Sequence, residues 1–205
     1  LHTPFEFAFD LDKARRLLAD AGYPEGRDPA TGQRLRLTLD LGRTTQEARE
    51  STELLTSFMA RLGIDLRASY HHWPAFLRKV ALRQSQLFRI AWVGDYPDAE
   101  NFLQLFYGPN ASPGPNRCNF NHEPYNERYR QAMATSDPAE RQELYAELQR
   151  IVRRECPWIF IHFPRNYSLV HRHVEGFQPH DFPYGMEKHL RFGRASKPSA
   201  PRSPP

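Results

Sequence analysis

Residues 34–42, RLRLTLDLG, alternate leucine with polar side chains at a period of two. That is the signature of a half-buried strand. The chain downstream repeats the theme in a changed key. Residues 44–62 place Leu54, Leu55, Phe58, Met59 and Leu62 at helical spacing, and Gly63 follows as a stop. Residues 64–71, IDLRASYH, alternate again. A short helix is expected over 73–82, carrying Phe76, Leu77 and Val80, and residues 87–93 form an apolar run of strand length. Strand, helix, strand, helix, strand predicts an α/β unit with helices packed on a sheet.

Upstream, residues 10–21 read as a helix with Asp10 as cap and Leu11, Ala14, Leu17, Leu18 and Ala21 as an apolar stripe; Gly22 and Pro24 end it. Downstream of Pro97 the alternation stops. Helices are expected over 100–106, 124–134 and 139–154, the last opened by Asp137-Pro138. PWIFIHF (157–163) reads as a buried strand, 166–177 as an extended segment ending near Gly176, and the Pro/Ser-rich end as a disordered tail.

With 205 residues, 40% hydrophobic and 25% charged, the chain has enough apolar material for a core. The net charge of +4 comes from interspersed acids and bases, which describes a solvated surface and gives no nucleic-acid patch. Arg150, Arg153 and Arg154 fall near a helix end, where cations suit the dipole. Cys118 and Cys156 are compatible with a bridge or with free thiols, and Cys156, beside Pro157, reads as packed. The pairs His71-His72 and His171-x-His173 lack the cysteine or carboxylate company of a metal site, so no metal or cofactor is expected. No stretch reaches the ~18–20 apolar residues of a membrane helix. No signal segment is visible and Leu1 is an implausible start, so the chain reads as a fragment.

The strand over 87–93 runs into Trp92-Val93-Gly94-Asp95-Tyr96-Pro97. Strand ends of this kind supply ligand sites at a sheet's carboxyl edge. An acid there can pair with an ammonium, the tryptophans Trp73 and Trp92 offer broad apolar faces, and Arg89 presents a planar fork for a carboxylate. If the strand stays regular, Arg89 and Asp95 share a face about 20 Å apart at ~3.3 Å per residue, a span suited to a zwitterionic oligomer. Asp95, Asp98 and Glu100 can also be read as paired carboxylates of a hydrolase, or Asp98 as the cap of the next helix.

Eight blocks in order carry a resemblance: FDLDKARRLLADAGYPEG, LRLTLDLG, LTSFMARLGIDLRAS, HHWPAFLRKV, FRIAWVGDYPDAENFL, CNFNHEPYNERYRQAM, DPAERQELYAELQRIVRRECPWIFIHF and YSLVHRHVEGFQPHDF. Together they resemble the carboxyl-terminal part of bacterial family 5 extracellular solute-binding proteins, the dipeptide- and oligopeptide-binding components of ABC importers. The resemblance implies a periplasmic binding protein-like fold (type II, cluster C). Residues 1–165 would be an incomplete second lobe with a mixed sheet and flanking helices, 166–193 a segment returning to a first lobe with strand edges left open, and 194–205 a tail. It implies a binding protein without catalytic activity, a monomer at full length, periplasmic or extracellular and in some members lipid-anchored, that hands peptides to membrane permease subunits and binds no nucleic acid. Asp95 would pair with the peptide ammonium, Trp92, Trp73 and Tyr96 would line the site, and Arg89 would meet the carboxylate. Relatives in such a family also bind nickel chelates, haem, glutathione or opines, and a ligand-sensing domain of a regulator is a further alternative. Val93 stands where some members carry a cysteine, so a bridge at the turn is ruled out, while a Cys118–Cys156 bridge stays open.

Overall fold

Strand β1 (Arg36–Leu41) is the middle of a three-stranded sheet ordered β2-β1-β3, with β2 at Asp65–Tyr70 and β3 at Leu87–Arg89. Both pairings are parallel, registering Leu39 with Ala68 and Leu87, and Leu41 with Tyr70 and Arg89. The computed structural model of the chain describes residues 9–161, 167–178 and 186–193. Parallel neighbours need crossovers. Helix α2 (Gln46–Ala60) links β1 to β2, and α3 (Trp73–Ala81) links β2 back across β1 to β3. Crossovers running in opposite directions with one handedness deliver their helices to opposite faces of a sheet.

Side-chain packing follows that rule. Leu37, Leu39 and Leu41 of β1, Leu66 and Ala68 of β2 and Leu87 of β3 gather with Leu55 and Met59 of α2. The alternate β1 residue Asp40 and Phe88 of β3 meet α3 through Lys79 and the fully buried Phe76. The inward stripe of α2 is Ala48, Thr52, Leu55 and Met59. Leu54 and Phe58, expected on the buried side, lie on the neighbouring helical line and are 56% and 46% exposed. Thr45 caps this helix by accepting from Ala48 N–H.

Helix α1 (Leu11–Asp20) begins as expected, with Asp10 accepting from Lys13 N–H at 2.8 Å. Its apolar stripe reaches partial burial only, and Leu17 is exposed. The chain then makes a tight turn at Pro24–Gly26 whose backbone abuts the end of α2. Gly26 (φ 68°) and Gly63 (φ 79°) face each other there. A Cβ on Gly63 would sit 2.1 Å from the Glu25 carbonyl oxygen, and one on Gly26 would sit 2.3 Å from that of Leu62. Neither position can carry a side chain without separating two backbones.

A second core gathers on helices α4 (Glu100–Leu103), α5 (Glu123–Ala134) and α6 (Pro138–Glu155). Leu103, Leu105, Phe106, Tyr125, Tyr129 and Leu148 are buried there. Asp137 caps α6 through Ala139 N–H, as its Asp-Pro start implies. The loop between α4 and α5 is held by amides acting as backbone surrogates: Asn116 Nδ2 donates to the Tyr107 and Phe120 carbonyls, and Asn126 Oδ1 accepts from Gly108 N–H.

Several expectations are corrected. The strand over 87–93 stops at Arg89, because β1, its partner, ends at Leu41 and offers no further backbone. The segment expected as a buried strand at 157–163 has no strand among its described residues, and Ile159 and Ile161 are 69% and 52% exposed. Among the described residues no neighbouring strand is present there to take its hydrogen bonds. The helix after Pro97 has Ala99 as N-cap without a side-chain bond, so Asp98 is not its cap. Cys156 is exposed, in a left-handed conformation at the end of α6, and both thiols are free.

The chain divides into two units: residues up to Val93 with Ala99–Ile159, and Gly94–Asp98 with the chain from Phe160 onward. In the second, β4 (Val174–Glu175) pairs antiparallel with β5 (Arg191–Phe192), and the His171 and His173 rings stack at 5.3 Å. The tail expected at 194–205 lies outside the described residues. Among the described residues no helix is long and apolar enough to cross a membrane, and no group of three His, Cys, Asp or Glu is arranged to hold a metal.

Gly63→Ala should lower stability by about 2 kcal/mol or more, because it adds left-handed strain to a backbone clash. Urea denaturation with an unchanged slope and a lowered midpoint is the expected result.

Candidate functional site

The carboxyl ends of β1, β2 and β3 lie side by side, as the parallel register requires, and this is where open α/β sheets place ligands. Trp73 stands at this edge as the first residue of α3. Its ring is stacked on Phe76 with centroids 5.5 Å apart, and the residue is 50% exposed while Phe76 is fully buried. The indole is thus a supported surface, apolar on one side and open on the other. Nearby on β2, the Tyr70 ring is covered by the Arg49 guanidinium at 4.6 Å.

Arg89 closes β3. Its guanidinium donates to Ser51 Oγ of α2 at 2.9 Å, which engages one of five N–H donors and ties the strand end to the helix. No carboxylate partner of Arg89 is present among the described residues. The spacing argument that set Arg89 and Asp95 about 20 Å apart on one face does not survive, since the chain leaves β geometry after Arg89.

Trp92 is half-buried and packs against the second core. Its indole N–H donates to Oδ1 of the fully buried Asn101 at 2.8 Å. Sequence reading missed Asn101, which looked like one more polar residue in a short helix. The expected turn follows at once. Within the second unit, Gly94 is buried, Asp95 and Tyr96 are exposed, and Asp98 N–H donates to the Tyr96 carbonyl at 2.9 Å. Gly94 and Pro97 bend the chain so that Asp95 stands on the outside of a tight turn.

The larger omission is Asp40. It is 1% exposed, yet it carries a carboxylate near the carboxyl end of β1. Oδ1 meets His71 Nε2 at 2.7 Å and Lys79 Nζ at 2.7 Å, and Ser69 Oγ lies 3.0 Å from the same imidazole nitrogen. Desolvation would raise the Asp40 pKa, but the bonds from Lys79 and His71 outweigh it and hold the carboxyl below its ordinary value. A signal was available. A strand sandwiched between two crossover helices is covered on both faces, so an acid on it needs polar partners from its neighbours.

Two expectations follow. Trp92→Phe deletes the indole donor to buried Asn101 and should cost about 1–3 kcal/mol by chemical denaturation. The Asp40 contribution has a defined pH window. A carboxyl with a lowered folded pKa leaves the unfolded chain binding the extra proton, so its stabilisation is complete above the ordinary value of ~4 and drains away as pH falls through the folded one. Calorimetric melting should show Asp40→Asn less stable than the parent near neutrality, with the gap narrowing on acidification below about pH 4.

Three comparisons bear on this arrangement. A profile described as bacterial extracellular solute-binding proteins, family 5 Middle, matches residues 2–114, more than half of the 205. The di/tripeptide-binding protein 4 of Pseudomonas aeruginosa is 27% identical over 185 residues, covering 86% of this chain and 32% of that protein. Haem-binding protein A of Haemophilus influenzae is 24% identical over 179 residues, covering 87% of this chain and 32% of that protein. Among solved structures, the oligopeptide-binding protein AppA of Bacillus subtilis, in complex with a nonapeptide, superposes with a TM-score of 0.79. That match spans 95% of this chain and 39% of AppA at 18% identity, a likeness of fold. The chain therefore spans about a third of the length of the curated relatives it matches.

Proposed function

The chain belongs to the bacterial extracellular solute-binding proteins of family 5, and we propose that it is the carboxyl-terminal part of a substrate-binding component of an ABC importer that captures di- to oligopeptides. Residues 1–165 act as part of one lobe, and 166–193 return toward the other. The likeness to a di/tripeptide-binding protein over 86% of the chain carries this reading. The acid-bearing turn directly after an anchored tryptophan supports it.

In this reading Asp95 receives the α-ammonium of the peptide. A charge-assisted hydrogen bond from an ammonium to the exposed Asp95 carboxylate strengthens as closure removes water. Trp92, its indole pinned by Asn101, and Tyr96 flank that acid, and Trp73 lines a side-chain pocket with a supported apolar face. Arg89 takes the peptide carboxylate through the guanidinium donors that Ser51 leaves over. Ligand shifts an equilibrium between open and closed lobes, and the closed form docks on membrane permease subunits. The protein works outside the cytoplasm, as a monomer free in the periplasm or lipid-anchored at a membrane, and performs no catalysis.

Calorimetric titration of free and N-acetylated di- to pentapeptides into the full-length gene product tests this. Free peptides should bind, and both acetylation and Asp95→Asn should weaken binding by about 2–5 kcal/mol, the cost of truncating one partner of a desolvated charge pair. Equal binding of acetylated peptides removes Asp95 as terminus reader. The haem-binding relative supplies a second reading. If no peptide binds and the haem Soret band shifts on titration, that reading replaces the first.

A further inference from the structure

Trp73 is more exposed than a core residue should be, yet everything beneath it is fixed. Two residues of one strand end do the fixing. Gly42 immediately follows β1, and a Cβ built there would lie 2.7 Å from Trp73 Cε3 and 2.6 Å from Phe76 Cδ1. Real Cβ contacts are essentially never that short, so the stacked pair Trp73–Phe76 rests against bare backbone. Any side chain at Gly42 must lift both rings or push the strand end away.

Asp40, two residues earlier, acts on the same segment from both sides. His71, two residues before Trp73, and Lys79, six residues after it, both bond to Asp40 Oδ1 at 2.7 Å. One buried carboxylate thus clamps the chain entering α3 and the helix leaving it, with the indole between the clamps. The N-cap of this helix, His72, makes no side-chain cap bond. The arrangement also explains why the chain retains a buried ion pair where an apolar pair would pack at no desolvation cost.

We infer that Asp40 and Gly42 are positioning residues for Trp73, setting the height and tilt of its indole and so the shape of the side-chain pocket it lines. The pocket half of this statement rests on the proposed peptide-binding role of Trp73; the positioning half does not.

The experiment uses the full-length gene product labelled with 5-fluorotryptophan, with trialanine and trileucine as probes. The Trp73 fluorine resonance is identified by its loss in Trp73→Phe. Gly42→Ala and the milder Asp40→Asn should each shift that resonance. They should weaken trileucine more than trialanine, by roughly tenfold for Gly42→Ala. In a Trp73→Ala background Gly42→Ala should have no further effect, because a residue that acts through another loses its influence when that residue is gone. An unmoved resonance in both variants, or losses that add in the double variant, overturns the positioning role. A moved resonance with trileucine affinity untouched by Trp73→Ala leaves positioning standing and removes Trp73 from the pocket. If Gly42→Ala fails to fold, Asp40→Asn decides the same question by the same resonance.

Discussion

A parallel strand with a helix on each face has no route to solvent for a charge, and β1 carries one. The Asp40 carboxylate, on the central strand near its carboxyl end, is held ionised by Lys79 from α3 and by His71 at the exit of β2. Coulombic attraction and two short hydrogen bonds outweigh its desolvation. The same contact joins β1, β2 and α3 at the carboxyl edge of the sheet. The stacked Trp73–Phe76 pair, the Tyr70–Arg49 contact and the Arg89–Ser51 bond all occur at that edge.

The two cores divide the labour. The leucine-rich sheet core supplies a rigid backbone register. The aromatic core around Phe106, Tyr125 and Tyr129 receives Trp92 just before the chain enters the Gly94–Asp98 turn. A hydrogen bond to a buried amide fixes the orientation of that indole in a way packing alone would not.

Exposed apolar side chains mark where the chain's packing is incomplete among the described residues: Leu17 on α1, Leu54 and Phe58 on α2, Ile159 and Ile161 beyond α6. The helical and strand patterns were sound as patterns. Whether a stripe is buried depends on what lies opposite, and period alone does not carry that information. The same reason accounts for α2, whose inward line keeps Leu55 and Met59 but leaves Leu54 and Phe58 exposed.

Local chemistry determined a great deal from the sequence alone. Alternation placed β1 and β2, helical spacing with Thr, Asp and Gly boundaries placed α1, α2 and α6, and the order of these elements specified an α/β sheet, because propensity, capping and period are properties of neighbours in the chain. Eight ordered motifs pointed to the solute-binding family. Tertiary structure alone decided the rest: that β3 ends at Arg89 for want of a partner, that Arg89 turns to Ser51, that Trp92 is pinned by Asn101, and that Asp40 is buried against His71 and Lys79, 31 and 39 residues away. Those facts depend on which groups meet across the fold, and a charge or a strand end has no settled meaning until its spatial partner is in place.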